Sequence, residues 1–246
     1  MDRLIYTALS GMQASMDRQR AIASNMANTD TLGFRAELIE QRAMTIEGHP
    51  NEARSMQVAR VTGADMTGGE VIETGRDLDL AIATKSLMAV QADDRTEAYT
   101  RRGDLSISAT GLLVTGDGHP VLGDTGPITV PPGGRISISE DGTVTRSDPD
   151  APEAPPAEVG RIKLASWEGS PIAKGLDGLF RVEGGGILPL DEEARVHSGA
   201  LEQSNVKPTE VLVAMIEEQR LFAMRSKLVS TARQLDESGA QLMRLT

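Results

Sequence analysis

The two ends of the chain are nearly free of the residues that break helices, and the middle is rich in them. Residues 1–40 contain two glycines and no proline, and residues 201–246 contain one of each, whereas the residues between them contain 22 glycines and 11 prolines. Glycine and proline mark turns and are unfavourable inside helices. The sequence therefore predicts an α+β chain, in which N- and C-terminal α-helices pack together as a coiled-coil-like stem and the centre forms an antiparallel β domain.

The N-terminal segment carries a regular apolar pattern. Apolar residues recur at alternating intervals of four and three, which is the spacing of a heptad seam. This seam consists of Ile5, Leu9, Met12, Met16, Ala23 and Met26, with the polar Gln19 as an interruption. Turn-forming residues follow from Asn28 to Phe34 and include Asp30 and Gly33, so we expect the helix to end near Asn28.

The C-terminal segment becomes helical again after Gly199 and carries two apolar stripes. The first stripe repeats leucine every seven residues, at Leu221, Leu228, Leu235 and Leu242. The second stripe lies on a neighbouring face and consists of Val211, Met215, Phe222 and Val229. Pro208 marks the expected start, with Asn205 or Thr209 as the N-cap residue. Two adjacent stripes predict more than one neighbouring helix, as in a packed helical tube.

Short segments with a period of two, separated by turn signals, fill the middle of the chain and predict a small antiparallel sandwich or barrel. The Asp141-Gly142 pair, which precedes Val144, is a good hairpin signal. We therefore divide the chain into an N-terminal helix and turn (1–40), an extended arm (41–75), a β domain (76–199) and a C-terminal helix (200–246).

Composition excludes several kinds of function. The chain has no cysteine and three histidines, which rules out disulfides, thiolate nucleophiles and zinc–thiolate sites. Its formal net charge is −11, which does not resemble the basic footprint of a nucleic-acid binder. No stretch approaches the roughly 20 apolar residues that span a bilayer, and the N-terminus lacks the pattern of a cleaved secretory signal. We expect no nucleic-acid binding and no direct membrane insertion.

Asp77 and Asp79 are the candidates for acid–base chemistry. They flank Leu78, so a strand would place both carboxylates on one face. A hydrolytic enzyme would need a polar pocket around them, but no histidine or third carboxylate is placed to complete such a site. The three histidines also lack metal-ligand spacing. We therefore expect a polar strand face, and no enzymatic activity, metal or cofactor.

Three groups of motifs occur in order along nearly the whole chain. The N-terminal group is Leu9-Ser10-Gly11-Met12-Gln13-Ala14 with the run from Ala23 to Arg35. The central group comprises Thr74 to Ile82, Tyr99 to Leu105, Gly111 to Thr115, Pro120 to Gly123 and Gly126 to Ile128. The C-terminal group is Gly199 to Val206 with Met215 to Phe222. Together these motifs resemble the flagellar axial family of rod and hook proteins, and most of all its proximal rod type.

Two segments depart from the pattern of that family. A segment that usually contains glycines and aromatic residues is Thr84-Lys85-Ser86-Leu87-Met88-Ala89-Val90 in this chain. A doubled asparagine is replaced by Ser24-Asn25. We expect the first change to affect strand contacts in the β domain, and the second to affect a hydrogen bond at the end of the helix.

The resemblance implies a structural subunit of the proximal rod in the flagellar basal body. In this family the terminal helices pair and form the inner tube of a helical drive shaft that transmits motor torque, and the β domain faces outward. The implied partners are copies of the chain, other rod proteins and the type III export apparatus. Export would proceed without cleavage, to a rod that crosses the periplasm.

Two other interpretations remain open at this point. The chain resembles the distal rod subunit of the same family as well, or it could be a soluble β-domain binding module that its helices dimerise. The assembly interface that the resemblance and the apolar pattern predict consists of Ile5, Leu9, Met12, Met16, Ala23, Met26, Asn28, Gly33, Phe34, Asn205, Met215, Leu221, Phe222, Leu228, Leu235 and Leu242.

Overall fold

The computed structural model describes residues 2–46, 54–148, 153 and 155–244. The chain divides into two units. Unit 1 contains Met1–Thr29, Ala36–Asp65 and Val206–Thr246, and unit 2 contains Asp30–Arg35 and Met66–Asn205. The predicted α+β class is confirmed, because the described residues form a helix near each end of the chain and strands that pair antiparallel between them.

Unit 1 consists of two long helices and one β-hairpin. Its elements are α1 (Asp2–Ala27), β1 (Glu37–Ile46), β2 (Arg54–Ala64) and α2 (Pro208–Arg244). Helix α1 packs against both α2 and β2. It ends where the sequence predicts, since the Asn28 side chain turns back and donates from Nδ2 to the Ser24 carbonyl at 2.8 Å. Such side-chain bonds compete with the helical ladder and favour termination.

Helix α2 begins at Pro208, whose missing N–H is no loss in the first helical turn. Its first backbone hydrogen bond runs from Val211 N to Lys207 O at 3.1 Å, so Lys207 occupies the N-cap position. The prediction of Asn205 or Thr209 at that position is therefore wrong. The Asn205 amide instead donates from Nδ2 to the Thr67 carbonyl at 3.0 Å.

Strands β1 and β2 lie largely within the segment that the sequence assigns to an extended arm. They pair antiparallel from Glu37 opposite Ala64 to Ile46 opposite Arg54, with a register shift between Leu38 and Ile39. The backbone is extended, but it folds back on itself as a hairpin. Pairing satisfies the backbone N–H and C=O groups that a single arm would leave to water. Residues 47–53, which the predicted arm includes, lie outside the described part of the chain.

Unit 2 contains sixteen short strands among its described residues. The first eight are β3 (Val71–Glu73), β4 (Leu80–Ile82), β5 (Ser86–Gln91), β6 (Glu97–Thr100), β7 (Leu105–Ile107), β8 (Leu113–Thr115), β9 (Leu122–Gly123) and β10 (Gly126–Pro127). The others are β11 (Arg135–Ile138), β12 (Thr143–Ser147), β13 (Ala157–Arg161), β14 (Leu164–Ser166), β15 (Ile172–Lys174), β16 (Phe180–Val182), β17 (Val196–Ser198) and β18 (Ala200–Glu202).

The largest sheet of unit 2 has the strand order β14-β5-β6-β16-β15, and a second sheet has the order β11-β12-β13. Four two-stranded ladders complete the unit: β17 with β4, β18 with β3, β7 with β8 and β9 with β10. Buried aliphatic side chains from most of these strands form one core, which includes Leu80, Met88, Val90, Leu105, Leu113, Val121, Val144 and Ile162. Apolar burial of this kind is the main force that holds such a domain together.

Strand β5 carries the segment in which the sequence departs from its family, and it is fully packed. It lies between β14 and β6, and Leu87, Met88, Ala89 and Val90 are all 0% exposed. A strand that is buried on both faces usually consists of consecutive apolar residues. The residues that replace the glycines and aromatic residues of the family pattern are apolar and fully buried here.

Two local predictions have different outcomes. The Asp141-Gly142 hairpin is confirmed, because β11 and β12 pair with Ile138 opposite Val144 and Gly142 has φ +84°.

The chain after Gly199, by contrast, is not helical at once: β18 pairs with β3, and the helix begins at Pro208. Burial of Ala200 and Leu201 in unit 2 outweighs local helix propensity there.

Candidate assembly interface

Helix α1 presents its small side chains inward and its predicted seam outward. Among the α1 side chains that the structure describes, the buried positions are Ser10, Gly11, Ala14, Ser15, Ala21 and Ile22. In the seam, Leu9 is 56% exposed, Met16 is 59% exposed and Ala23 is exposed, while Met12 and Met26 are partly buried. The apolar seam is therefore left largely uncovered within one chain. The side chain of Ile5 lies outside the described residues.

Helix α2 leaves an even larger apolar surface uncovered. Five of its apolar side chains are between 44% and 64% exposed: Leu212, Val213, Ile216, Met224 and Leu228. The predicted positions Met215, Leu221 and Phe222 are partly buried, and the side chains of Leu235 and Leu242 lie outside the described residues. Exposed apolar side chains on one helix are typical of interaction surfaces.

A reciprocal contact links the end of α1 to the start of β1. The Asn25 side chain accepts from Glu37 N at 2.8 Å and donates from Nδ2 to Glu37 O at 3.1 Å. The neighbouring Ser24 hydroxyl donates to Glu37 Oε1 at 2.8 Å. The serine that replaces an asparagine of the family pattern therefore keeps a hydrogen bond at the end of the helix. The predicted assembly interface did not include Asn25 or Glu37.

Gly33, Phe34 and Asn205 come together inside unit 2, although they are far apart in the sequence. Gly33 N donates to Glu202 O at 2.8 Å, and Asn205 N donates to Phe34 O at 3.3 Å. Phe34 is 9% exposed, and Lys174 Nζ lies 3.1 Å from the centre of its ring, in a cation–π contact. These three predicted residues thus join the turn after α1 to the segment after β18.

Two arginines share one buried carboxylate beside that junction. Arg35 Nη2 donates to Glu202 Oε1 at 2.6 Å, and Arg101 Nε donates to Glu202 Oε2 at 2.7 Å. The side chains of Arg35, Arg101 and Glu202 are 1%, 8% and 2% exposed. Arg101 also donates to the carbonyls of Ile82, Thr84 and Ser86. Burial lowers the pKa of Arg101, while its pairing with Glu202 opposes that effect.

The sequence-based prediction did not include these charged residues, because nothing in a linear pattern shows which charges become buried. A signal was nevertheless present. Arg35, Arg101 and Glu202 all lie within the motif groups that carry the family resemblance. Charged residues inside such motifs, next to Phe34 or Leu201, are candidates for buried pairs.

Asp77 and Asp79 have separate ion-pair partners. Asp77 Oδ2 lies 2.7 Å from Arg135 Nε, and this hydrogen bond lowers the pKa of Asp77. Asp79 Oδ1 lies 2.9 Å from Arg76 Nε, and its Oδ2 accepts from the Thr74 hydroxyl at 2.6 Å. Each carboxylate is thus part of a structural contact. The expected polar strand face is wrong, because both residues precede β4: Asp77 lies in a turn, and Asp79 is buried at 5% exposure.

The described residues hold neither a metal cluster nor a membrane span. Within the described ranges, no three His, Asp or Glu side chains converge closely enough to bind a metal ion. Of the helices in the part of the chain that the structure describes, none is long and apolar enough to cross a bilayer.

Three family models match separate parts of the chain. Residues 5–35 match the flagella basal body rod protein family, and residues 81–146 match the D1 domain of the flagellar hook protein FlgE/F/G family. Residues 197–242 match the C-terminal region of flagellar basal body rod FlgEFG proteins. The matched segments include α1, the strands from β4 to β12 and almost all of α2.

Curated relatives match over the whole length. The flagellar basal-body rod protein FlgF of Salmonella typhimurium is 40% identical, over all of both chains. FlgF of Escherichia coli is 41% identical over 94% of each chain. The flagellar basal-body rod protein FlgG of Caulobacter vibrioides is 33% identical over 97% of this chain and 98% of its own.

These matches define the class first: the chain is a structural protein of the bacterial flagellum and not an enzyme. The chain belongs to the family of flagellar basal-body rod proteins. It is accordingly a structural subunit of the bacterial flagellar basal-body rod.

Proposed function

We propose that the chain is a subunit of the proximal rod that polymerises, with copies of itself and other rod proteins, into the helical drive shaft of the flagellum. Relatives named FlgF support the proximal position, since two of them are 40% and 41% identical, against 33% for a relative named FlgG. The distal rod subunit is the second candidate, because that relative also matches almost the full chain.

One observation carries the proposal: both terminal helices keep apolar side chains exposed within a single chain. Leu9 and Met16 on α1, and Ile216, Met224 and Leu228 on α2, are between 52% and 64% exposed. Burying such side chains against neighbouring subunits stabilises an assembly by roughly 25 cal/mol per Å² of apolar surface. Coiled-coil-like packing of the terminal helices, within and between subunits, is part of this proposal.

The proposed interface keeps the residues that the sequence identified. It comprises Ile5, Leu9, Met12, Met16, Ala23 and Met26 on α1 and Met215, Leu221, Phe222, Leu228, Leu235 and Leu242 on α2. Asn28, Gly33, Phe34 and Asn205 act differently in this proposal. They fix the turn and the segment that lead into these helices, and so they position the interface.

A charge placed on the exposed seam tests the proposal. Met16→Glu on α1 and Ile216→Glu on α2 should abolish swimming and rod completion in a strain that lacks its own copy of this protein. Both side chains are exposed, so the free energy of unfolding of the isolated chain, measured in urea, should stay within about 0.5 kcal/mol of that of the unsubstituted chain.

Matched controls place the same charge on exposed polar positions of the same helices. Gln13→Glu on α1 and Gln219→Glu on α2 should leave motility unchanged. Normal motility in the Met16→Glu and Ile216→Glu strains would show that these surfaces do not assemble, and would overturn the proposal.

We also propose that the type III export apparatus delivers the chain, without cleavage, to a rod that crosses the periplasm. The match to the flagella basal body rod protein family supports this route. Mass spectrometry of the protein in purified basal bodies should find a peptide that begins at residue 1 or 2. An N-terminus that begins at a signal-cleavage site would contradict it.

The binding-module interpretation is not favoured, because the relatives that match the entire chain are basal-body rod proteins. Sedimentation of the purified chain with purified rod neighbours distinguishes the two. A dimer that ignores those neighbours would favour a binding module, whereas larger mixed assemblies favour the rod.

A further inference from the structure

A buried charge lies on the face of α2 that packs against α1. Of the α2 side chains that the structure describes, Glu218 is the only buried one, and it is 2% exposed. Its Oε2 lies 3.4 Å from Nε of Arg18 on α1, and its Oε1 lies 3.9 Å from Nη1 of Arg225 on α2. Because Arg225 follows Glu218 by seven residues, both side chains lie on the same face of the helix.

Arg225 extends from this face to the backbone of α1. Its Nη1 donates to the Gly11 carbonyl at 2.8 Å and to the Ser15 hydroxyl. The two acceptors are four residues apart and thus lie one turn apart on one face of α1. The Arg225 side chain also lies against position 11 itself, where a Cβ would meet Arg225 Nε at 3.6 Å, an ordinary contact.

The remaining buried residues of α1 say little about where α2 should sit. Ser10, Ala14 and Ala21 are small and Ile22 is the one large apolar side chain among these described residues, so this face constrains the register of a partner helix only weakly. A slip by one turn would leave Glu218 buried away from Arg18, and Arg225 away from Gly11 and Ser15. Removing the partner of a buried charge is strongly destabilising, because it leaves that charge uncompensated away from water. Buried polar groups fix the register of other helix pairs in the same way.

We propose that Glu218 and Arg225 set the register in which α1 and α2 of one chain pair, with Gly11, Ser15 and Arg18 as the matching positions on α1. The apolar seams fix the register less tightly, because Leu9, Met16, Met224 and Leu228 are exposed within the chain. This role concerns pairing inside a single chain and does not depend on the assembly proposed above.

The absence of native cysteine allows a direct test on the full-length chain. Spin labels at Met16→Cys and Met224→Cys, both exposed positions, report the distance between the helices by pulsed electron paramagnetic resonance. The parent chain should give one narrow distance peak. Glu218→Gln and Arg225→Gln should broaden that peak or move it by about 5.4 Å, the rise of one helical turn.

Two further variants separate a register effect from general loss of structure. Arg225→Lys keeps the charge, so it should retain the narrow peak. Glu237→Gln neutralises a glutamate that pairs with Arg233 at 3.0 Å on the exposed side of α2, and it should change nothing. The fluorescence of the single tryptophan, Trp167 in unit 2, verifies that each variant remains folded there.

The position and width of the distance peak test the proposed register. An unchanged position and width in Glu218→Gln and Arg225→Gln would overturn the proposal. A broad distribution in the parent chain would overturn it too, because no register would then be set. A broad peak in the glutamine variants beside a narrow one in Arg225→Lys would support it.

Discussion

At the scale of single residues, Gly33 has both a special conformation and no space for a side chain. Its φ is +66°, a region that residues with a Cβ rarely adopt. A Cβ at this position would lie 2.5 Å from the backbone carbonyl of Arg101. The turn after α1 can therefore approach this part of unit 2 only because residue 33 is glycine.

Gly33→Ala should destabilise unit 2 by about 2–4 kcal/mol, from left-handed strain and overpacking together. Urea unfolding followed by Trp167 fluorescence measures this change. The matched control is Gly160→Ala, whose Cβ would meet Ile128 at 3.8 Å, an ordinary contact. Equal stability of the two variants would show that the close approach at Gly33 is unimportant.

Glu202 is the single carboxylate that balances the buried guanidinium groups of Arg35 and Arg101. Glu202→Gln keeps its shape and removes its charge, so it should cost about 3–5 kcal/mol of unfolding free energy. The control is Glu168→Gln in the exposed pair with Lys85, where the loss should not exceed about 1 kcal/mol. Urea unfolding with Trp167 as the probe compares them, and similar losses would contradict a special role for the buried pair.

At the scale of elements, the central strands of the large sheet combine an apolar core with a buried phenol. Tyr99 on β6 is 0% exposed. Its hydroxyl accepts from Leu188 N at 2.7 Å and donates to Glu97 Oε1 at 2.7 Å. Burial raises the pKa of Tyr99, so the phenol stays protonated and able to donate. The hydroxyl thus ties β6 to the loop that contains Leu188.

Tyr99→Phe should lower the unfolding free energy by about 1–3 kcal/mol, because the buried Leu188 N–H loses its acceptor. Urea unfolding measures the loss. Thr125→Val removes an exposed hydroxyl and should change stability by about 0.5 kcal/mol or less. A Tyr99→Phe variant as stable as the parent would show that water replaces the phenol without cost.

The two faces of helix α1 carry different kinds of side chains. Its small residues lie inward, where α2 and β2 can approach closely, and its apolar seam lies outward. A helix that only covered a core would show the reverse, with its largest apolar side chains inward. This arrangement is what we expect of a helix that has one partner in its own chain and others in neighbouring chains.

At the scale of the whole molecule, several aspartates of unit 2 make its stability depend on acid pH. Hydrogen bonds from Thr96, Thr143 and Arg181 lower the pKa of Asp94, Asp141 and Asp177, respectively. The unfolded chain therefore binds more protons than the folded chain near pH 3.8, the ordinary value for aspartate. Stability rises with pH wherever the unfolded state binds more protons.

The contribution of these groups should thus be complete above pH 3.8 and disappear as pH falls through the lower pKa values of the folded state. Unfolding free energies from urea titrations at pH 2.5 to 7 test this. The triple variant Asp94→Asn, Asp141→Asn, Asp177→Asn should show a weaker fall below pH 4 than the parent chain. If the unfolding free energies of parent and variant fell in parallel as the pH decreases, these three aspartates would not be the cause of the fall.

The sequence by itself determined the division into helical ends and a β middle. Glycine and proline content, the seven-residue repeat and the Asp141-Gly142 turn are local signals, and local propensity decides the type of element. The motif groups determined the family in the same way, since they are read along the chain. The end of α1 near Asn28 and the start of α2 at Pro208 follow from residues beside those boundaries.

Only the tertiary structure decided which faces and charges are buried. The apolar seam of α1 predicts a helix but not its inward side. The buried positions recur at intervals of four and seven as well, but most of them are small or polar and give no apolar pattern. The β1–β2 hairpin, the pairing of β18 with β3 and the contacts of Glu202 and Glu218 join residues that are distant in the sequence. Such contacts depend on where the chain returns in space, and burial at those places outweighs local propensity.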